Sequence, residues 1–362
     1  MGGPGDPPEG TPEGTPGGGS GSEDEYRSVV FDESFVKAAR LQEFSAQERI
    51  TDHAPAVRRT PALRRGLTRQ AVILVVLIMI AFGTAIYMGV RSPYRTAPVA
   101  RHTDPLRMTV IPLAPAGKVP GSASVAELYA HSPAANFHVA AGGIELPTST
   151  RRTAHFSDSQ VVTALTTAKD YLVDSSLDPD VLTGGSVRPV RTLVDPQQLG
   201  QFDQSIDKPA ADGRHAATGW LIRFDPAQAE LADPHIRVQG ALHVAETDAD
   251  TLEVTSDHTF VYALRPAGSV AGAKASLFTV RRELHFRFDR DDLRNHQAEL
   301  LVSYVQAGPL ACAADSAEHL HPLLAGQTAK KDGPAGTDPY ATGSATASAL
   351  CGALAPSAQP SV

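Results

Sequence analysis

The sequence predicts an α+β protein with a disordered N-terminal arm, one transmembrane helix and a folded domain on the C-terminal side of that helix. Three observations predict this fold class. An apolar run lacks any charged residue, Ser157 starts a segment with helical periodicity, and apolar and polar residues alternate from Trp220 to Tyr304. We therefore divide the chain into residues 1–70, 71–90, 91–135, 136–308 and 309–362.

The arm, residues 1–70, is predicted to be disordered. Residues 1–22 are almost entirely Gly, Pro, Thr, Glu and Ser, which cannot bury enough apolar surface to offset the loss of chain entropy. The formal net charge of −8 is mild for 362 residues and is spread along the chain. It gives no indication of a nucleic-acid partner.

Within the arm, residues 26–50 differ from their polar surroundings. They contain the hydrophobic residues Phe31, Phe35, Val36, Leu41 and Phe44. Part of the segment has helical spacing, and a short amphipathic helix with nothing to cover its apolar face is usually bound by a partner protein. We interpret these residues as a docking segment. The alternatives are a helix that lies on the membrane surface and a linker with scattered hydrophobic residues.

Residues 71–90 are predicted to span a lipid bilayer, because twenty helical residues extend about 30 Å, the thickness of the hydrocarbon core. The run lies too far from the N-terminus for an ordinary signal peptide. Arginines flank it on both sides, so the charge bias is small. The long uncleaved arm and the two cysteines after the span favour a cytoplasmic N-terminus and an extracytoplasmic domain in the cell membrane.

The segment FDESFVKAARLQEFSAQER, followed by an arginine-rich stretch and one membrane helix, resembles an N-terminal region of certain streptomycete single-pass membrane proteins. Those proteins are associated with the machinery that synthesises the spore wall. The resemblance covers residues 26–90 and includes no catalytic residue. It implies a cell-envelope protein whose partners belong to the cytoskeletal or wall-synthesis machinery.

Beyond the span, residues 91–135 read as a Pro-rich tether and residues 136–308 as the folded domain. Ser157 and Gln160 form a capping box that starts one helix, and Asp195-Pro196 is predicted to open a second. Strands are then predicted at 220–224, 236–244, 252–264, 278–288 and 300–304.

Short connections between these strands predict an antiparallel meander with one face covered by the helices. In its order of elements this arrangement is similar to the cone-shaped nuclear-transport-factor-2-like domains. That likeness implies a sheet able to hold a concave pocket, but the fold class hosts both enzymes and purely structural modules.

The tail, residues 309–362, is rich in Ala and Gly and is predicted to be flexible. Cys312 and Cys351 both follow the span, so an oxidising compartment would allow them to form a disulfide. Closing that loop would stabilise the tail by about 4 kcal/mol. The alternative is two unpaired thiols in a flexible tail.

No established catalytic motif is present: the sequence lacks a nucleophile elbow, a phosphate-binding loop and a zinc-protease motif. We therefore expect no enzyme activity, no cofactor and no metal site. His319 and His321, next to Glu318, could supply two metal ligands, but in an Ala/Gly-rich tail we interpret them as solvated.

Two residues break the alternation of their predicted strands. Arg282 falls on the apolar side between Val280 and Leu284, and His258 falls there just before Phe260. A buried arginine needs an acceptor, so the pair could line a pocket for an anionic ligand. The alternative, which we favour, places both residues at a bulge or sheet end, where they face water.

These features predict a non-enzymatic membrane adaptor that links cytoplasmic partners to cell-envelope or spore-wall synthesis. Its partners would be proteins of the wall-synthesis or cytoskeletal machinery and the lipid bilayer. A transmembrane regulator whose outer domain senses a ligand is the main alternative. An envelope enzyme that uses a fold-level pocket is the second.

Overall fold

A computed structural model describes residues 65–91, 103–270, 272–330, 337–341 and 351–362. It divides into two units, Met1–Thr96 and Ala97–Val362. The predicted docking residues lie outside the described residues; they are Phe31, Phe35, Val36, Leu41 and Phe44.

The first unit contributes one long helix, α1 (Arg65–Arg91). Its stretch Arg69–Tyr87 is 19 residues long, has no side chain buried and is apolar enough to cross a membrane. The predicted span of residues 71–90 therefore coincides with a continuous helix. The helix extends past both ends of that span, to Arg65 and Arg91.

The second unit contains both helices and strands. In chain order its helices are α2 (Val125–Ala130), α3 (Asp158–Ser176), α4 (Pro179–Leu182), α5 (Arg188–Leu193), α6 (Leu199–Asp207), α7 (Ala217–Trp220) and α8 (Arg290–Asn295). Short 3₁₀ turns lie at Pro133–Asn136, Ala140–Gly143 and Pro356–Ala358.

The strands are β1 (Arg107–Ala114), β2 (His138–Val139), β3 (Ala229–Leu231), β4 (Arg237–Asp248), β5 (Thr251–Pro266), β6 (Ser276–Phe288), β7 (Glu299–Gly308) and β8 (Gly352–Ala353). They form one sheet in the order β2-β4-β5-β6-β7-β1-β8, and β3 pairs with the end of β5.

The α+β class is confirmed, but the sheet is mixed rather than wholly antiparallel. β4 to β7 form the predicted meander. β1 lies parallel to β7, and β8 lies parallel to β1. Parallel pairing arises here because β1 precedes the helices in the chain and enters the sheet beside the last strand of the meander.

The predicted tether, residues 91–135, is therefore partly folded: it contains β1 and α2. Two prolines in and after β1 concealed its strand pattern. Pro112 is tolerated because, among the described residues, β8 pairs with that side of β1 only at Leu113 and Ala114, so no strand requires an N–H group from Pro112 there.

The helices cover one face of the sheet. α3 begins as predicted, since the Ser157 side chain accepts from the Gln160 N–H and the Gln160 side chain accepts from the Ser157 N–H. The second predicted helix also exists, but α6 begins at Leu199, because Asp195 accepts from the Gln197 N–H in a turn before it.

The predicted strand at 220–224 is wrong. Its residues are buried on both sides, so the alternation does not mark one exposed face of a sheet. Trp220 ends α7, while the Ile222 N–H donates to Ser175 O and the Phe224 N–H donates to Leu182 O. The segment thus packs between the helices and the sheet and bonds to helix ends.

The predicted flexible tail, residues 309–362, also packs on the domain where it is described. Leu310, Leu320 and Leu324 join the main core, and Leu354 packs beside β1. Cys312 and Cys351 are joined in a disulfide with their Cα atoms 5.5 Å apart. Ala and Gly enrichment concealed these contacts, because the few apolar side chains involved follow no regular period.

Candidate binding groove on the open face of the sheet

The two faces of the meander carry different chemistry. The face under the helices, here the covered face, holds the main hydrophobic core, including Val254, Phe260, Val280 and Leu284. The opposite face, here the open face, is covered at one end by α2, where Tyr129 packs near Val261 and Leu277. At the other end Tyr304 of β7 packs against a small apolar cluster that includes Ile111, Leu113 and Leu354. Between these two ends the open face carries mainly polar side chains.

Arg282 lies on the covered face and is fully buried, at 0% exposure. Its Nη1 donates to Ser175 Oγ at 2.8 Å and Ser176 Oγ at 2.7 Å, and its Nη2 donates to Trp220 O at 2.8 Å. Burial lowers the pKa of its guanidinium, and the nearby Tyr171 and Tyr262 raise it. The two serines lie at the end of α3, where the negative end of the helix dipole favours a cation, and Trp220 ends α7.

His258, the cross-strand neighbour of Arg282, is also at 0% exposure. Its Nδ1 lies 2.8 Å from Ser256 Oγ. Its ring lies so close to Gly240 that a Cβ atom at residue 240 would clash with it. Burial lowers its pKa to about 4, so the ring is neutral at pH 7.

The favoured interpretation of these two residues, at a bulge or sheet end facing water, is therefore wrong, because the helices cover them completely. They do not line the large cavity of the domain either. The Arg282 guanidinium donates to two serine hydroxyls and to a backbone carbonyl oxygen. These hydrogen bonds connect the sheet to the ends of α3 and α7.

A groove of about 770 Å³ lies on the open face instead. One wall is formed by Pro133 and Phe137, which precede β2, and another by Tyr340 from the tail. The Phe137 and Tyr340 rings meet edge to face, with centroids 5.8 Å apart. Both aromatic walls thus come from segments that the sequence suggested were outside or at the edge of the domain.

The tail wall is fixed to the sheet by hydrogen bonds. Thr259 Oγ1 donates to Pro339 O at 2.9 Å, and the Tyr340 hydroxyl lies 2.9 Å from Thr279 Oγ1. Burial raises the pKa of Tyr340 to about 12, so its hydroxyl stays neutral at physiological pH. It can therefore both donate and accept a hydrogen bond.

The groove floor is a set of cross-strand rows. One row contains Ala241 of β4, Asp257 of β5 and Glu283 of β6 in direct register. The next row towards the open end contains His243, Thr255 and His285. All of these line the groove except His285, which lies beside it.

The carboxylates on and beside this floor outnumber the permanent cations. Arg281 donates to both oxygens of Asp257, at 2.8 and 2.7 Å. His285 lies between Glu253, at 2.8 Å, and Glu283, at 3.3 Å. Three carboxylates thus contact one arginine and one histidine, while Arg287, the cross-strand neighbour of Glu253, is paired with Glu299. The floor consequently favours a ligand that brings positive charge or hydrogen-bond donors.

Sequence reasoning missed the groove residues Asp257, Glu283 and Tyr340. For the first two, the signal would have been a pair of carboxylates directly opposite each other in the sheet. Such a pair is unfavourable, so its presence indicates a functional role. The connection between β5 and β6 has no recognisable turn sequence, so it left their register undetermined. For Tyr340 no signal existed, because its contacts with Thr279 and Phe137 join residues that are far apart in the sequence.

His319 lies 3.6 Å from Glu318 and has its pKa lowered, mainly by burial. Within the described residues, no group of three or more His, Cys, Asp or Glu side chains could hold a metal ion. No protein-family model, curated protein or solved structure matches this chain.

Proposed function

We propose that this protein is a bitopic membrane adaptor whose C-terminal domain binds a partner in the open-face groove. The observation that carries the proposal is the groove itself: an open cavity of about 770 Å³ in the same chain as an apolar helix able to span a bilayer. A concave site with aromatic walls and a few convergent polar groups is typical of binding sites.

The groove has the rigidity that recognition requires. Its floor belongs to three adjacent strands whose other face is packed against the core, and its tail wall is hydrogen-bonded to those strands. A preorganised surface loses little conformational entropy when a partner binds. We therefore assign partner binding to this face and mechanical support to the covered face.

The disulfide and the span support one orientation. A disulfide such as Cys312–Cys351 is typical of an oxidising compartment and rare in the cytoplasm. We place the C-terminal domain outside the cell membrane and the N-terminal arm in the cytoplasm. The docking segment at residues 26–50 would then bind cytoskeletal or wall-synthesis proteins inside the cell, and the groove would bind a wall-synthesis protein outside it.

Crosslinking in intact cells tests both halves of the adaptor. Four forms of the full chain are compared: the natural chain, a chain lacking residues 26–50, Glu283→Lys in the groove and Glu318→Lys as a matched control. Glu318 is an exposed glutamate that does not line the groove. We expect the deletion to lose the cytoplasmic partners only, and Glu283→Lys to lose the extracytoplasmic partners only.

If neither change alters the captured proteins, the adaptor function is wrong. If Glu283→Lys changes what the arm captures while the arm itself is intact, the chain is a transmembrane regulator rather than an adaptor. Glu318→Lys must behave like the natural chain for either conclusion to hold.

A further inference from the structure

We infer that the groove binds an extended peptide of its partner, which adds as a strand to the free edge of β4 and extends a basic side chain over Ala241 towards Asp257 and Glu283. This inference rests on the proposed function and specifies the chemical class of the partner. It is carried by three features of the structure: a free strand edge, the groove alongside that edge and the charge of the groove floor.

The first feature is the outer edge of β4. This strand has 12 residues, yet on its outer side it pairs with β2 only at Arg237 and Val238. Among the described residues, no backbone hydrogen bond joins the outer edge of residues 239–247 to another segment. Such an edge presents unpaired N–H and C=O groups, which an incoming strand can pair with.

The edge also lacks the features that usually prevent strand addition. Residues 239–245 read QGALHVA and contain no proline, lysine or carboxylate. The β-bulge of β4 comes later, between Glu246 and Asp248. The two residues of β2 show that a strand can lie antiparallel on this edge. Within the described residues no strand pairs with the positions beyond them on that side, and His155 contacts β4 only at the side chain of Glu246.

The second feature is the position of the groove. Gln239, Ala241 and His243 line it, and they project from β4 on the open face. Alternate side chains of an added strand would therefore project on the same side of the sheet and flank the groove. Strand addition alone uses backbone hydrogen bonds and does not depend on the sequence of the peptide. Because the groove lies beside the added strand, it can select one side chain of that peptide.

The reach of that side chain follows from strand spacing. An added strand lies two strand spacings from β5, about 10 Å. A short side chain cannot cross that distance, but a lysine or arginine can approach the Asp257 carboxylate. Ala241 lies in the row between them, and its methyl group leaves the path open.

The third feature is charge. Asp257 and Glu283 are direct cross-strand partners on the groove floor, and like charges in that position repel. Arg281 is paired with Asp257, and His285 lies beside Glu283, so each reduces this repulsion at one of the two carboxylates. A cationic group that enters the groove would complete the neutralisation, whereas a carboxylate would add to the repulsion.

The test is a selection of peptides on the full chain held in nanodiscs of neutral phosphatidylcholine, which does not attract basic peptides. A random library of nonapeptides is panned against the natural chain, Glu283→Lys and Glu318→Lys. We expect the natural chain and Glu318→Lys to enrich the same sequences, with lysine or arginine at one position and no proline beside it. Glu283→Lys should bind the selected peptide at least about tenfold more weakly.

N-methylation of the selected peptide then tests strand addition. A strand at a sheet edge uses every second amide for pairing. We expect methylation of one alternate set of amides to abolish binding and methylation of the other set to be tolerated. Equal effects of both sets would overturn strand addition, and enrichment of acidic or neutral sequences would overturn the basic side chain.

No enrichment over empty nanodiscs would overturn the inference altogether. Residues 92–102 contain Arg95 and Arg101 and could compete with a basic peptide. If peptides are enriched only after these residues are deleted, the occupant is this segment of the chain itself and not a partner. The proposed function is tested separately: if Glu283→Lys still loses a partner in cells while the selection yields no basic strand, the adaptor stands and only the class of its ligand is wrong.

Discussion

The covered and open faces of the meander differ most clearly at two adjacent residues, Arg281 and Arg282. Both are almost completely buried, at 4% and 0% exposure. Arg282 donates to serine hydroxyls and backbone carbonyls beneath the helices, whereas Arg281 donates to the Asp257 carboxylate on the groove floor. Two adjacent positions of one strand thus hold a cation that stabilises the core and a cation that contacts the candidate binding groove.

The comparison shows that burial alone does not identify function. The fully buried arginine stabilises the contact between the sheet and helices α3 and α7, and its pKa is lowered mainly by that burial. The arginine on the open face is paired with a carboxylate, which raises its pKa, and its partner Asp257 lines the cavity. A functional site is expected where charged side chains line a cavity that a ligand can enter.

The largest expected effect separates these two arginines. Arg282→Ala should lower the free energy of unfolding by about 4 kcal/mol, because it leaves a cavity and removes the donors to Ser175, Ser176 and Trp220. Arg281→Ala should cost less, about 2 kcal/mol, because Asp257 stays 25% exposed and water can solvate the carboxylate that loses the arginine. Urea unfolding of the full chain in micelles, followed by the fluorescence of its single tryptophan, measures both. Equal losses would remove the distinction between the faces.

The next effect is a pH dependence of the covered face. Burial lowers the pKa of His258 to about 4, while an unfolded histidine titrates near 6.5. Above pH 6.5 both states are neutral and the stability is complete. As the pH falls from 6.5 towards 4, only the unfolded state gains a proton, so stability is lost.

Between pH 7 and pH 4.5 the natural chain should therefore lose about 2 kcal/mol more of its unfolding free energy than His258→Gln loses. Phe260→Leu is the control: it lies in the same core, lowers stability at both pH values and introduces no titrating group. If the unfolding free energies of the natural chain and of His258→Gln changed equally with pH, the His258 ring would be accessible to protons in the folded state.

A third change links the two faces through β4. At Gly240 a Cβ atom would lie 2.5 Å from His258 Cγ and would also meet the backbone of Asp257. Gly240→Ala should cost about 1.5 kcal/mol and displace the strand that forms the groove floor. Gly142→Ala is the matched control, because a Cβ atom at Gly142 would have no neighbour within 4 Å. Thermal unfolding compares them; equal midpoints would show that His258 can move aside.

The same comparison explains what could be predicted from the sequence. The meander strands β4 to β7 and helix α3 follow from alternation and capping, which are local signals. β1 was hidden because Pro112 interrupts its pattern, and the packed tail was hidden because its contacts depend on Cys312 and on separated leucines. Strand Trp220–Phe224 was predicted wrongly, because a segment buried on both sides can show the same alternation as a strand.

The site was missed for a related reason. Arg282 and His258 attract attention because a polar residue on an apolar face is exceptional, whereas Asp257 and Glu283 look like ordinary solvated residues of an amphipathic strand. Their role depends on Phe137 and Tyr340, which enclose that part of the face from distant positions in the chain. Alternation identifies the two faces, but it does not predict which solvent-exposed face is enclosed into a groove.

The smallest expected effect has the opposite sign and lies on the open face. Glu283→Gln removes the negative charge directly opposite Asp257 and keeps the shape of the side chain, so it should raise the free energy of unfolding by about 0.5 kcal/mol. Glu318→Gln, outside the groove, should change it much less. Urea unfolding of both variants beside the natural chain makes the measurement. A stabilised Glu283→Gln chain that binds its peptide more weakly would mean that the second carboxylate is kept for binding at the expense of stability, as is common at functional sites. A destabilised chain would instead assign Glu283 to holding His285 in place, and the open face would then resemble the covered one.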